Sequence, residues 1–319
     1  MKRKVKKEDL QDDLQDGMAL LRQPVLPLVS MVQFLYQLSG PEAKVEDIIA
    51  EMTEPIETAY AVYAEPDKLL RCYLDQLQLL EKLGTMGTDQ QPDELDAEVV
   101  DESGQPMDTV TACTALINQR IVEKELEKIN SLLCGPCNCT LCCIGPAEGM
   151  EQEFFEIPLQ DEETALFTLP RHDTPESRSR LALDSTAGDN LLQVDGRPFY
   201  HGANADQCST GTPELFHWRN GWSMILPKDA SCPALEQNGR CNVYSQRPQV
   251  CRRPQIFSYI LEPLEPLKLL GPMGQSRKYM MRNSLLAVTD CPYVQFLQED
   301  ITAYAAACEL DCILKANKG

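Results

Sequence analysis

The chain has 319 residues, 43% hydrophobic and 24% charged, an ordinary composition for a folded protein with room for two domains. Its 29 Lys and Arg stand against 49 Asp and Glu, a net charge of −20. So acidic a chain repels phosphate, which argues against nucleic acid and anionic membranes as partners. The tip Met1-Lys-Arg-Lys-Val-Lys-Lys reads as a solvated tail, because it runs into further charge with no apolar signal-peptide core behind it. The stretch from Leu20 to Tyr36 is broken by Arg22, Gln23, Pro24, Pro27 and Gln33, too interrupted to span a bilayer. A cytoplasmic location is expected. Helices are expected over 28–38 and 41–52, the second with Ser39 near its N-cap. Leu70, Tyr73, Leu74, Leu77 and Leu80 recur at helical steps between the opening Pro66 and the closing Gly84. Residues 1–83 therefore read as a helical domain, either a plain bundle or a winged-helix-like arrangement.

Residues 84–110 carry eight acids and no Lys or Arg, and read as an acidic flexible linker. A long helix is expected over 111–133, with Val122, Leu126, Ile129 and Leu133 on one face. Short strands and turns follow. Phe154–Ile157 and Ala165–Phe167 suggest a hairpin, 170–190 an exposed loop, Asp195-Gly-Arg a turn, and Trp222–Leu226 a strand. Leu297, Ile301, Tyr304 and Cys308 suggest a final helix over 294–315. The fold class is α+β: a helical N-terminal domain, then a cysteine-rich metal-binding domain over 111–319 with short strands and a C-terminal helix.

The cysteines carry the chemical signal. Cys134, Cys137, Cys139, Cys142 and Cys143 place five thiols within ten residues. A C-x-x-C turn sets two sulfurs on one metal, and the set contains two such units, 134/137 and 139/142. A reducing compartment favours metal ligation over disulfides. A second group, Cys232, Cys241 and Cys251, has spacings too wide for a knuckle and needs a fold to bring it in. Arg240, Arg247, Arg252 and Arg253 crowd this group, and cations there offset polythiolate charge. The isolated Cys72, Cys113, Cys308 and Cys312 read as small buried hydrophobes.

The pieces Cys139-Thr-Leu-Cys142-Cys143, Cys232-Pro-Ala-Leu, Cys241-Asn-Val-Tyr, Arg247-Pro-Gln-Val-Cys251-Arg252 and Cys291-Pro292 resemble, in order, the bacterial CxxCxxCC cysteine-cluster proteins, described as zinc- or iron-chelating. The resemblance covers roughly 134–293. It implies Cys139, Cys142, Cys143, Cys232, Cys241 and Cys251 as ligands, joined by Cys291. The family's first cysteine falls at Pro136 here, flanked by Cys134 and Cys137, either of which substitutes for it. A relative in this group, the flagellin lysine N-methylase, implies methyl transfer as an alternative activity.

Competing motifs are weaker. Cys134-Gly-Pro-Cys137 matches the thioredoxin tetrapeptide, but a helix precedes it where that chemistry needs one to follow. His172 reads as solvated, and His201 and His217 as minor ligand candidates, with His217-Trp218 and Trp222 more suited to packing. No P-loop, dinucleotide fingerprint or serine-hydrolase elbow is present. Three functions remain in play. One is a metal-cluster protein of binding or electron-transfer type, with an all-cysteine 4Fe–4S iron–sulfur site or zinc. Another is a cluster-dependent modifying enzyme such as a lysine N-methylase. The third is a structural zinc module that presents the N-terminal domain to a protein partner.

Overall fold

The structure, a computed structural model, describes residues 14–85, 97–137, 139–147, 150, 152, 154–180, 193–195, 197–198, 211–253, 255–264 and 277–316. In chain order the elements begin with α1 (Gln15–Leu21), α2 (Leu26–Ser39), α3 (Val45–Glu51), β1 (Ile56–Glu57), β2 (Val62–Tyr63), α4 (Pro66–Arg71), α5 (Leu74–Leu77), α6 (Leu79–Thr85), β3 (Ala97–Val100) and α7 (Thr109–Cys137). Then come β4 (Phe154–Leu159), β5 (Arg171–His172), α8 (Pro175–Ser179), β6 (Gln193–Val194), β7 (Arg197–Pro198), β8 (Glu214–Trp218) and β9 (Gly221–Pro227). The last are β10 (Ile256–Pro263), β11 (Arg277–Val288), α9 (Pro292–Phe296), α10 (Gln298–Ala307) and β12 (Asp311–Lys315). The fold is α+β.

Two units divide the chain. The first takes 1–137, 255–267 and 275–316, and the second is inserted between them as 138–254, together with 268–274 and 317–319. This differs from a division at a linker over 84–110. Of that stretch, 86–96 lies outside the described residues, while Ala97–Val100 pairs in parallel with β11 from Arg277 to Met280. The consecutive Val99 and Val100 are both buried, and Glu98 lies 2.7 Å from Lys278, which offsets the charge of that one acid. The long helix packs with the N-terminal helices rather than opening a separate cysteine domain.

In the first unit α7 is the spine. Ile117, Ile121, Val122, Leu126, Ile129 and Leu133 are buried along it. Gly17 lets α1 approach α7 closely: a Cβ there would meet the Leu133 side chain at 2.4 Å, so that leucine would have to shift. The sheet runs β10–β11–β12, with β10 antiparallel to β11, and β12 and β3 both parallel to it. Gln119, buried on α7, accepts from the Ile260 and Leu261 N–H groups at 2.8 and 3.1 Å, and its amide donates to the Ser258 carbonyl at 2.9 Å. These bonds satisfy the backbone where the β10–β11 register shifts between Tyr259 and Leu261.

Several sequence expectations shift. The helix over 66–83 is three short helices, although Leu70, Tyr73, Leu77 and Leu80 are buried as the period requires. Ser39 ends α2, and Lys44 is the N-cap of α3. The final helix stops at Ala307, Glu309 adopts φ 56°, and the chain returns as β12. The stretch from Gln15 to Ser39 is long and apolar enough by length and composition to cross a membrane, and half of its most apolar window is buried, as in a core helix. The outward side of α2 exposes Met31, Phe34, Leu35 and Leu38.

In the second unit the sheet order is β4–β9–β8–β5, antiparallel except for the β5–β8 pair. The partner of β4 is therefore β9, and Glu162–Leu166 is a 3-10 turn rather than the second strand of a hairpin. Within the expected loop, Thr174 caps α8 through a reciprocal bond with Ser177; residues 181–190 lie outside the described residues.

Candidate metal centre

Strand alternation decides which face receives the thiols. Across the sheet Leu159, Trp222 and His217 stand in register, as do Ile157, Met224 and Leu215 two residues along. These residues, apart from His217, form one apolar face, against which Cys232, Cys241 and Val243 pack. The opposite face holds Phe154, Phe216, Trp218 and Ile225.

Backbone pairing explains how sulfurs separated in sequence converge. The segment 143–146 runs antiparallel to 229–232, with the Cys232 N–H donating to the Cys143 carbonyl at 2.7 Å and the Gly145 N–H to the Ala230 carbonyl at 2.8 Å. Gly145 is fixed by contact. A Cβ there would lie 1.8 Å from the Pro227 carbonyl oxygen, which as backbone cannot swing aside. A tight turn around Gly239 (φ 85°) folds Cys241 back against Leu235. Two 3-10 turns, Tyr244–Gln246 and Gln249–Arg252, then return Cys251. The second turn is anchored where the Gln249 N–H donates to Glu163 at 2.7 Å.

Cys143, Cys232 and Cys241 come within electrostatic range of Cys251, and all four are half-buried and without disulfides. The Cys251 pKa is pushed up to about 12, first by burial and then by the negative charges of Cys232, Cys143 and Cys241, while Arg247 opposes this. Burial also raises Cys232, with Cys241 adding to it, but the backbone N–H groups of Ala234 and Leu235 bond to its sulfur and favour the thiolate. The Cys-Pro-Ala-Leu turn thus aims two donors at one sulfur, an arrangement that stabilises a thiolate ligand. The convergence is electrostatic in range. Among the described residues, no three Cys, His, Asp or Glu side chains stand at metal-ligand geometry. The donor set nevertheless fits a thiophilic ion or cluster: four soft sulfurs, no competing oxygen ligand in the motif, and donors directed at one of them.

The remaining expected ligands are placed differently. Cys139 and Cys142 lie in the turn leading to Cys143, whose N–H donates to the Thr140 carbonyl at 2.9 Å; Cys142 is exposed. Cys134 and Cys137 belong to the first unit, in the last turn of α7, where Cys137 is buried. Cys291, also in the first unit, is the buried N-cap residue of α9, next to Tyr293, whose hydroxyl donates to Asn130 at 2.8 Å. The Cys134-Gly-Pro-Cys137 tetrapeptide closes a helix, and a helix C-terminus carries partial negative charge, the opposite of the environment that activates a dithiol.

Among the isolated cysteines, Cys113 and Cys308 are buried as expected, whereas Cys72 is exposed and Cys312 sits on β12. His172 is not a solvated loop residue. It stacks on Phe216 at 4.4 Å, and its Nε2 lies 2.8 Å from Glu214. His217 stacks on Trp222 at 4.7 Å, and its Nδ1 lies 3.0 Å from Asp173, while His201 falls outside the described residues.

Sequence reading missed Glu125. It is 3% exposed on α7 and accepts from the Val25 N–H at 3.0 Å and the Tyr304 hydroxyl at 2.6 Å. The signal was available, since position 125 lies four residues from both Ile121 and Ile129 on the apolar face. No protein-family model, no curated protein and no solved structure matches the chain.

Proposed function

We propose that this chain is a metal-centre protein whose second unit holds a 4Fe–4S iron–sulfur cluster, or zinc, on cysteine thiolates, and that it works in redox or electron transfer. The observation that carries the reading is the convergence of Cys143, Cys232, Cys241 and Cys251 from two distant sequence groups. Four thiols match one tetrahedral ion or one cuboidal cluster. The resemblance to the CxxCxxCC proteins includes these four among a wider ligand set that also takes in Cys139, Cys142 and Cys291, with Cys134 or Cys137. A reducing, cytoplasmic setting belongs to the reading, because it keeps the thiols available. So does a protein partner reached through the N-terminal helices, supported by the uncharged stripe on α2.

When bound, an iron–sulfur cluster supplies one-electron chemistry, and zinc supplies rigidity. The chain's own part is to hold the thiolates, direct the Ala234 and Leu235 amides at sulfur, and keep Cys251 half-buried. Anaerobic purification followed by visible spectroscopy and elemental analysis tests this. A broad charge-transfer band with iron and sulfide identifies the cluster, and a colourless protein with stoichiometric zinc identifies the structural ion. A chain with neither after anaerobic reconstitution overturns the reading.

A further inference from the structure

We propose that β12 is a docking edge for a second copy of this chain, which lays its own β12 alongside in antiparallel register and joins the two β10–β11–β12 sheets into one. The proposal is independent of the metal centre, because every residue it uses lies in the first unit.

The sheet leaves the outer edge of β12 open. Residues 284–287 of β11 pair with both β10 and β12, so those two strands flank opposite edges of β11. Among the described residues β12 pairs with no strand but β11. Asp311, Ile313, Leu314 and Lys315 are exposed, Ile313 by 46% and Leu314 by 44%. An apolar edge strand of this kind is a template for another strand. One face is already held, since the Thr302 hydroxyl of α10 donates to the Cys312 Sγ at 3.8 Å. The direction of the backbone groups follows from one bond. The Thr289 N–H donates to the Lys315 carbonyl at 2.9 Å, so Lys315 turns its backbone toward β11. These directions alternate along a strand, which leaves the N–H and C=O groups of Cys312 and Leu314 pointing outward.

The edge is complementary to itself, and this selects the occupant. It reads Asp311-Cys312-Ile313-Leu314-Lys315. Laid antiparallel with Ile313 on a two-fold axis, Asp311 stands opposite the second copy's Lys315, and Lys315 opposite its Asp311. Within one chain the two charges are four strand residues apart, about 13 Å, too far to pair with each other. The same register sets Cys312 opposite the second copy's Leu314, so the outward-pointing groups meet as hydrogen-bonded pairs on both sides of the axis. Ile313 then faces Ile313 as a non-hydrogen-bonded pair, the kind whose side chains approach most closely. It also completes an apolar row. Phe257, Leu286 and Ile313 stand in register across β10, β11 and β12, half-buried in the first two and exposed at the edge. Pairing carries that row through the axis into the other sheet. A two-fold interface has to match itself, and this strand does so in charge, hydrogen bonding and apolar contact at one register.

The test is sedimentation velocity of the full chain over a concentration series reaching the high micromolar range. A reductant excludes disulfide-linked dimers. Salt at about 0.15 M, where the Debye length is about 8 Å, screens the repulsion between two bodies of net charge −20. The wild type should show a concentration-dependent dimer. Asp311→Lys alone gives a strand with two lysines, and Lys315→Asp alone gives one with two aspartates. Each places like charges opposite in its own dimer and should weaken association roughly tenfold or more. An equal mixture of the two single variants should dimerise again at near wild-type strength, because the lysines of one strand now face the aspartates of the other. Leu314→Pro removes an outward N–H and none that bonds β11, and should abolish the dimer while circular dichroism stays that of the wild type. If that variant does not fold, the charge variants decide alone, since their side chains are exposed. A wild type that stays monomeric throughout the series overturns the proposal. So does a dimer indifferent to both single charge reversals, or a mixture that associates no better than its components.

Discussion

At the scale of single residues the thiols differ in what they should do to metal content. Cys241→Ser and Cys251→Ser are expected to lower bound metal per chain by elemental analysis, because both sulfurs belong to the converging group. Cys72→Ser, at an exposed position in the first unit, should leave the metal unchanged. Full metal retention in the first two variants would mean that the groups around 139–143 and 232–251 share no site. Glu125 sets a different expectation. Burial pushes its pKa up to about 7, against the opposing effects of the Tyr304 hydroxyl, the Val25 N–H and the Lys128 charge. Tyr63, Tyr73 and Cys308 surround it, each held protonated by burial and by this carboxylate. A carboxyl whose folded pKa lies above its unfolded value stabilises most when both states are protonated. The contribution of Glu125 to the stability of the first unit should therefore be fully present below about pH 4.5 and lost as pH rises through about 7. The span corresponds to roughly 3 kcal/mol at 1.36 kcal/mol per unit. Glu125→Gln should flatten urea-midpoint measurements between about pH 4.5 and 7; a wild-type midpoint already flat there would remove this assignment.

At the scale of elements, local periodicity was legible and non-local pairing was not. Helices α2 and α7 were visible because their apolar residues recur at helical steps and their flanks carry Pro, Gly or a change of charge. Strands β3 and β12 were hidden, because a parallel strand is completed by a partner far away in sequence. Val99-Val100 within an acidic run, or Cys312-Ile313-Leu314 after a helix, carries no local sign of that partner. The thiol site was half legible. Its residue types and order stood in the sequence, but the choice of Cys143 from the first group depended on a two-segment backbone pairing centred on Gly145. That pairing is directly testable. Gly145→Ala puts a methyl group into the Pro227 carbonyl, and should cost about 1–3 kcal/mol in the second unit. It should lower metal content even though no ligand is altered. A Gly145→Ala protein with wild-type metal and melting behaviour would show that the 143–146 segment does not set the position of Cys143.

At the scale of the whole molecule, the second unit is an insertion whose chain leaves the first at Cys137 and re-enters it at Gln255. Asn130 donates to the Ile256 carbonyl at 2.9 Å, so the exit and entry points are separated by little more than the last two turns of α7. That is about 10 Å along a helix axis. Replacing 138–254 with a Gly/Ser linker of about eight to ten residues, which spans such a gap, should leave a folded first unit with cooperative unfolding. A molten product would mean that the first unit draws its stability from the insertion. Conversely, stripping metal from the full chain should unfold the second unit alone, because polythiolate binding energies of about 10–16 kcal/mol are comparable to the stability of a domain. Limited proteolysis should then cut between 138 and 254 and spare α7. A metal-free second unit that resists protease would place its stability in the β4–β9–β8–β5 sheet instead.

The insertion also fixes an order of events during synthesis. The ribosome delivers every residue from Asn138 to Pro254 before it delivers the first residue of β10, and β11 and β12 come later still. Until then α7 has no sheet to cover its apolar face, whereas Cys143, Cys232, Cys241 and Cys251 are all outside the exit tunnel once Cys251 and a few tens of residues beyond it have been made. The nested unit can therefore assemble, with its four cysteines already made, while the unit that encloses it in sequence is still incomplete. On the metal-centre proposal, the supply of metal to the nascent chain would bear on the yield of the entire protein.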